Sequence, residues 1–315
     1  MPHLRPALAV FSLLATPAMA EVPLVVTDIA PVHSLVSMVM QGVGQPDLLI
    51  PAGSSPHDFS LRPSDAARLQ DADLIVWIGE DLTSWLARPL SIVAEDAVNM
   101  PLIELPVTLL REGGHDHDTL DAAAHPDDDH DDHDDHDDHD DHDEEIHGSH
   151  DPHVWLDPVN AIAWLPEIAS ALTRQDPQNG PLYSANAANA ADMLDQLLDE
   201  LAQDDLARPF IVSHDAFGYF EDRFDAHALG SLAGANASAP GPARVAALRD
   251  AARAADVRCV LVEPQFNSGL AEAVVPQGVT IRQIDAMGSD LPLGATLYPD
   301  MIRSIAAAIS GCPDE

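Results

Sequence analysis

Two hydrophobic periods alternate along most of this chain. Short unbroken apolar runs, as in strands buried on both faces, are interleaved with stretches whose apolar residues recur every three or four positions, as in helices with one buried face. The first half reads as a strand over 22–29, then a helix opened by Pro31 and carried by Leu35, Val36, Val39 and Met40 to a stop at Gly42. A short strand over 48–50, a helix over 63–69 with Pro63 in its first turn, and strands over 74–78 and 100–105 follow. The second half opens with a helix over 158–174 and a longer helical pattern over 178–206, through Tyr183, Ala190, Met193, Leu194, Leu197, Leu198 and Leu201. Strands over 210–213, 257–262 and 279–284 then alternate with helices over 244–255, 269–275 and 297–309. This alternation predicts an α/β fold of two lobes, each with a largely parallel sheet. The 178–206 helix would be about 40 Å long at 1.5 Å per residue, far beyond the average helix, which suits an element linking two lobes. Ligands of such sheets bind in a crevice at the C-terminal ends of the strands.

The pattern fails between 112 and 151. From His115 to His150 lie ten of the sixteen histidines and seventeen of the 53 acidic residues, and an Asp-Asp-His triplet recurs from Asp128 to His142. With almost nothing apolar to bury, this insert cannot offset the entropy of ordering, and the sequence predicts a solvated, disordered loop. Its imidazoles are His115, His117, His125, His130, His133, His136, His139, His142, His147 and His150. Interleaved with carboxylates, they are the ligand types that zinc accepts, and they point to weak, auxiliary capture of a divalent metal rather than to a plain solubilising linker.

The first twenty residues have the form of an export signal: Arg5, an apolar run over 7–15, and a small-x-small site at Ala18-Met19-Ala20, so that the mature chain would start at Glu21. The apolar run is much shorter than the roughly 20 residues of a membrane span. The expected organisation is therefore a signal over 1–20, an N-terminal lobe over 21–177 holding the 112–151 insert, a linking helix over 178–206 and a C-terminal lobe over 207–315, placed in the periplasm.

The net charge is −39, and all 14 basic residues are arginine. Even without the insert's seventeen acids, 36 acidic residues face these 14 arginines, which excludes nucleic acid as a partner and favours cations. Two cysteines, Cys259 and Cys312, suit an oxidising compartment and read as one disulfide, the alternative being two separate buried thiols.

Outside the insert and signal, His57, His153 and His214 stand at or just after predicted strands, where ligands of such sheets gather. One histidine is weak evidence of a metal; three in corresponding places are stronger. Asp285, at the end of a further predicted strand, could add a carboxylate or hold a water, whereas His33 on the first helix reads as structural. A Ser213-His214-Asp215 triad is the rival reading, but neighbours in sequence do not form a triad. Neither G-x-S-x-G, H-E-x-x-H nor a glycine-rich phosphate loop occurs. A three-histidine zinc hydrolase stays open as an alternative, and it would need a general base.

The segments HDFSLRPSDAARLQDADLIVWIG, HVWLDP, SHDAFGYF, VEPQF and IDAMGSDLPLG occur in this order, with the His/Asp-rich insert just before the second. In this the chain resembles the ZnuA-type zinc-binding components of bacterial ABC importers, which belong to the cluster with a rigid linking helix. The resemblance covers essentially the whole mature chain. It implies two α/β lobes joined by one long helix, Zn2+ in the cleft on His57, His153 and His214, a membrane permease as partner, a monomer, and no catalysis. It also implies a Cys259–Cys312 bridge. Manganese-binding relatives carry glutamate in place of His214 and a coordinating aspartate in place of Asp285, so imidazole at 214 favours zinc over the alternative manganese or iron carrier. A secreted zinc buffer would need only the insert. Some members have glutamate before the first histidine; here Pro56 stands there, which leaves the fourth position open between water and Asp285.

Overall fold

The computed structural model describes residues 22–112, 150–238, 241–266 and 279–313. The expected signal (1–20), nearly all of the insert and the 269–275 helix lie outside them. Two four-stranded sheets, wholly parallel, make the two lobes. The N-terminal sheet has the order β2-β1-β3-β4, from β1 (Val25–Thr27), β2 (Asp47–Leu48), β3 (Leu74–Trp77) and β4 (Val98–Pro101). The C-terminal sheet repeats it as β6-β5-β7-β8, from β5 (Phe210–His214), β6 (Ala228–Ala233), β7 (Cys259–Val262) and β8 (Thr280–Gln283). In each lobe the first strand has its successors on either side, which creates a topological switch point beyond its C-terminal end.

Helix α1 (Ala30–Val39) is buried along its whole length, as its apolar and small residues require. It packs with α4 (Pro158–Gln175), α5 (Gly180–Leu201) and α8 (Leu297–Ser310), and the hydrophobic core through these helices is continuous from one lobe to the other. The outer faces are covered by α2 (Pro63–Gln70) and α3 (Ser84–Val93) on the first sheet and by α7 (Pro242–Ala254) on the second. Helix α6 (Gly218–Phe224) follows β5. Helix α5 touches both lobes: Asn186 Nδ2 donates to the carbonyls of Val39 and Gln41 at the end of α1, and Glu200 pairs with Arg303 of α8 at 2.9 Å.

Several boundaries differ from the sequence reading. Helix α5 spans 22 residues, about 33 Å, rather than 178–206, because Pro181 sets its first turn and the chain turns after Leu201. Strand β4 starts at Val98 and stops at Pro101, followed by a 3-10 turn at Leu102–Glu104, so the expected 100–105 strand is shifted towards the N-terminus. Helix α3 was hidden by Pro89 in its interior, and β6 by its small residues, which have little strand preference. The predicted pairing of the cysteines is present: Cys259 at the start of β7 is bonded to Cys312 beyond α8, with Cα atoms 5.5 Å apart.

Candidate metal centre

Three segments bring one imidazole each to the cleft. His57 follows β2 in a loop whose φ is fixed at Pro51 and Pro56 and which turns at Gly53, whose φ of +79° suits a residue without Cβ. Trp85 of α3 holds that loop by donating its indole N–H to the Pro56 carbonyl at 2.8 Å. His153 precedes the 3-10 turn Val154–Leu156 that leads into α4. His214 is the last residue of β5, at the switch point of the C-terminal sheet.

Each of these histidines offers a ring nitrogen, and the three nitrogens lie within 4.8 Å of one another. The ring centroids are 4.9 to 5.7 Å apart and the rings meet edge to face. His57 Nε2 and His153 Nε2 are buried without a hydrogen-bond partner. A buried polar nitrogen left unpaired loses its hydration, and two of them facing one point is the arrangement a metal ion would satisfy. The histidines line a cavity of about 190 Å³ with Asp58, Trp155, Glu263 and Met287 among its other walls. Among the described residues, no arginine lines it.

Buried carboxylates stand behind two of the rings. Asp151 Oδ1 accepts from the backbone N–H of His153 at 3.0 Å and lies 2.7 Å from its Nδ1. Glu263, just past β7, lies 3.0 Å from His214 Nδ1, and His214 Nε2 faces the Ala235 carbonyl, also at 3.0 Å. Burial, followed by the other two imidazoles, pushes the His57 pKa down to about 3, which keeps it neutral and able to donate a lone pair at physiological pH. Burial alone would lower His214, but the hydrogen bond and charge of Glu263, with the Ala235 carbonyl and Asp215, reverse this and raise it.

Asp285, the fourth expected site residue, stands apart from the group of three histidines. Its two oxygens accept from the N–H groups of Met287 (2.9 Å) and Ser289 (2.6 Å), closing a turn through Gly288, and it lines a different cavity from the histidines. The strand ends at Gln283, so the carboxylate falls within that turn, next in sequence to Ala286 and Met287 of the histidine-lined cavity. Glu263 was missed as a site residue, although a lone acid directly after the fully apolar run Cys259–Val262 was a readable signal. His33 is structural as read: its Nε2 meets the Pro46 carbonyl at 3.1 Å inside the N-terminal lobe. Among the insert histidines only His150 is described, and it forms an antiparallel bridge with Glu112; the other nine lie outside the described residues. Ser213 Oγ accepts from the backbone N–H of Glu263, and His214 faces Glu263 and Ala235, so Ser213, His214 and Asp215 do not form a relay.

Two parallel-sheet lobes that each send imidazole into a shared cleft define a two-lobe, metal-binding solute-binding protein. Residues 25–312 match the family described as ZnuA, zinc-uptake complex component A periplasmic, and the chain belongs to that family. It is 41% identical over 307 residues to the high-affinity zinc uptake system protein ZnuA of Paracoccus denitrificans (strain Pd 1222), covering 95% of this chain and 94% of that one. Its identity to the protein of the same name from Brucella abortus (strain 2308) is 37% over 304 residues, 91% of each. In fold it is similar to a crystal structure of ZnuA (TM-score 0.75, 20% identity, 93% of this chain and 99% of that one). It is likewise similar to AdcAII of Streptococcus pneumoniae (TM-score 0.73, 19% identity, 94% and 100%).

Proposed function

We propose that this chain captures one Zn2+ in the periplasm on His57, His153 and His214 and delivers it, as a monomer exported by its N-terminal signal, to the permease of a zinc ABC importer. The observation that carries this is the pair of buried, unpartnered Nε2 atoms of His57 and His153 converging with His214 at the switch point between the lobes. Family membership and the relatives' role in zinc uptake support it. Three nitrogen donors and no thiolate suit zinc, and a ligand set without the carboxylates of the manganese carriers weighs against manganese.

Zinc bonded to nitrogen at 2.0 to 2.1 Å in tetrahedral geometry needs donors about 3.3 Å apart. The donors here extend to 4.8 Å, so the imidazoles draw inward by up to roughly 1.5 Å as the ion enters. With Asp285 held in its turn, water is the fourth ligand. The insert supplies additional weak sites. Because the Glu112–His150 bridge closes its base and Asp151 next to it holds His153, captured ions are kept at high local concentration beside the cleft.

Uptake of radioactive zinc by zinc-starved cells lacking the chain tests this reading: the parent restores uptake and His153→Ala does not. Restoration by His153→Ala as full as that by the parent contradicts it. For the insert, a variant with 113–149 replaced by a short turn keeps the tight zinc and loses the weaker ions in calorimetry; loss of the tight zinc would place the principal ligands in the insert.

A further inference from the structure

Glu263 is 4% exposed and lies beyond the C-terminal end of β7, next to β5 and the switch point. Its Oε1 accepts from Gln265 Nε2 at 3.1 Å, which leaves Oε2 aimed at His214 Nδ1. Its backbone N–H is held separately, by Ser213 Oγ at 3.0 Å, and its carbonyl accepts from Phe266, so the main chain here does not depend on the carboxylate. Asp151 plays the matching part behind His153 but differs in charge: Arg111 lies 3.6 Å from its other oxygen. Among the described residues, no arginine pairs with Glu263, and its ion-pair partner is the His214 ring.

From this asymmetry, and resting on the zinc-binding reading above, we infer that Glu263 is the positioning residue of the metal centre: it fixes the His214 ring for coordination and supplies the buried negative charge that a divalent cation neutralises. Asp151 orients His153 in the same way, with its charge already shared with Arg111. Carboxylates hydrogen-bonded to ligand imidazoles fix ring orientation and raise ligand basicity. A carboxylate that no arginine pairs, set behind a ligand ring, adds attraction for a cation that enters.

Competition titrations against a chromophoric zinc chelator test this on the full chain. Glu263→Gln keeps the shape and removes the charge; it should keep one tight zinc per chain with affinity lowered about 10- to 100-fold. The cobalt(II)-loaded variant should keep the visible bands of the parent, since the three nitrogens remain, and the metal-free melting temperature should stay near that of the parent. Asp151→Asn should lose less. Ser213→Ala, which disturbs the same strand end and leaves the carboxylate in place, should bind zinc within about threefold of the parent. Parent-like affinity in Glu263→Gln, or an equal loss in Ser213→Ala, overturns the assignment. Collapse of the cobalt bands as in His214→Ala would make Glu263 a ligand and overturns it too. Failure of the parent itself to bind zinc tightly would instead remove the functional reading beneath it.

Discussion

Tyr298, in the first turn of α8, donates its phenol to the carbonyl oxygen of Trp155 at 2.7 Å, two residues past His153. The Trp155 indole in turn donates to the Ala286 carbonyl at 2.8 Å, and both aromatic side chains are fully buried. The segment that carries the second histidine is thus bolted to the C-terminal lobe, although it precedes α4 and α5 in sequence. Arg223 of α6 adds a two-pronged pair to Asp157, the cap of α4.

Tyr298→Phe removes one of these bonds and leaves a buried carbonyl without its donor, a change that costs about 1 to 3 kcal/mol. Denaturant unfolding should show that loss. Zinc affinity should change only a few-fold, because Asp151 still holds the His153 ring. A loss of zinc binding with unchanged stability would mean that the bolt serves the metal directly.

Replacing His57, His153 or His214 with alanine removes one of three nitrogen donors. Each should weaken zinc by more than the roughly 10- to 100-fold that follows loss of an outer partner. Chelator competition on the three variants decides it, and any one that binds as tightly as the parent removes that residue from the site.

Asp285→Ala separates the structural role of this carboxylate from a coordinating one. Its oxygens serve two backbone N–H groups in the turn beyond β8, so the variant should lose about 1 to 2 kcal/mol of stability and keep zinc affinity within about threefold. A loss of affinity comparable to that of His214→Ala would restore Asp285 as a ligand.

Asp28 makes stability depend on pH. Burial just past the C-terminal ends of β1 and β3 raises its carboxyl to about 7, against the model-peptide value of 3.8, although the N–H groups of Ile78 and Ile29 work in the opposite direction. The native chain therefore binds more protons at this residue than the unfolded chain between about pH 4 and 7. Its contribution is full below about pH 4 and is lost as pH rises through 7, on the order of 4 kcal/mol at about 1.4 kcal/mol per pH unit. Asp28→Asn should flatten that part of the curve. If parent and variant keep a constant stability difference from pH 4 to 8, Asp28 is not the group responsible.

The three histidines were legible because a parallel sheet advertises its ligand positions: an apolar run ends and a polar, metal-competent side chain follows. The same logic pointed to Asp285, but a carboxylate after a strand can equally well close a turn, as its bonds to Met287 and Ser289 do here, and that choice depends on Gly288 adopting a φ of +64° two residues after the buried Ala286. Glu263 lay in plain view after Cys259–Val262, but its value comes from facing His214 across neighbouring strands, a register that no local pattern encodes. Helix α3 stayed hidden because Pro89 contradicts local propensity, and packing of Leu86 and Leu90 on the sheet overrides it.

The central claim is that three imidazoles at one switch point make a tight zinc site. A competitive equilibrium titration of the purified chain with zinc against manganese, read by a chelator of known affinity, tests it most directly. One saturable tight zinc per chain, not displaced by manganese in excess and abolished in the combined His57, His153 and His214 alanine variant, is the predicted result. Tight zinc that survives in that variant, or manganese bound more tightly than zinc, would contradict it.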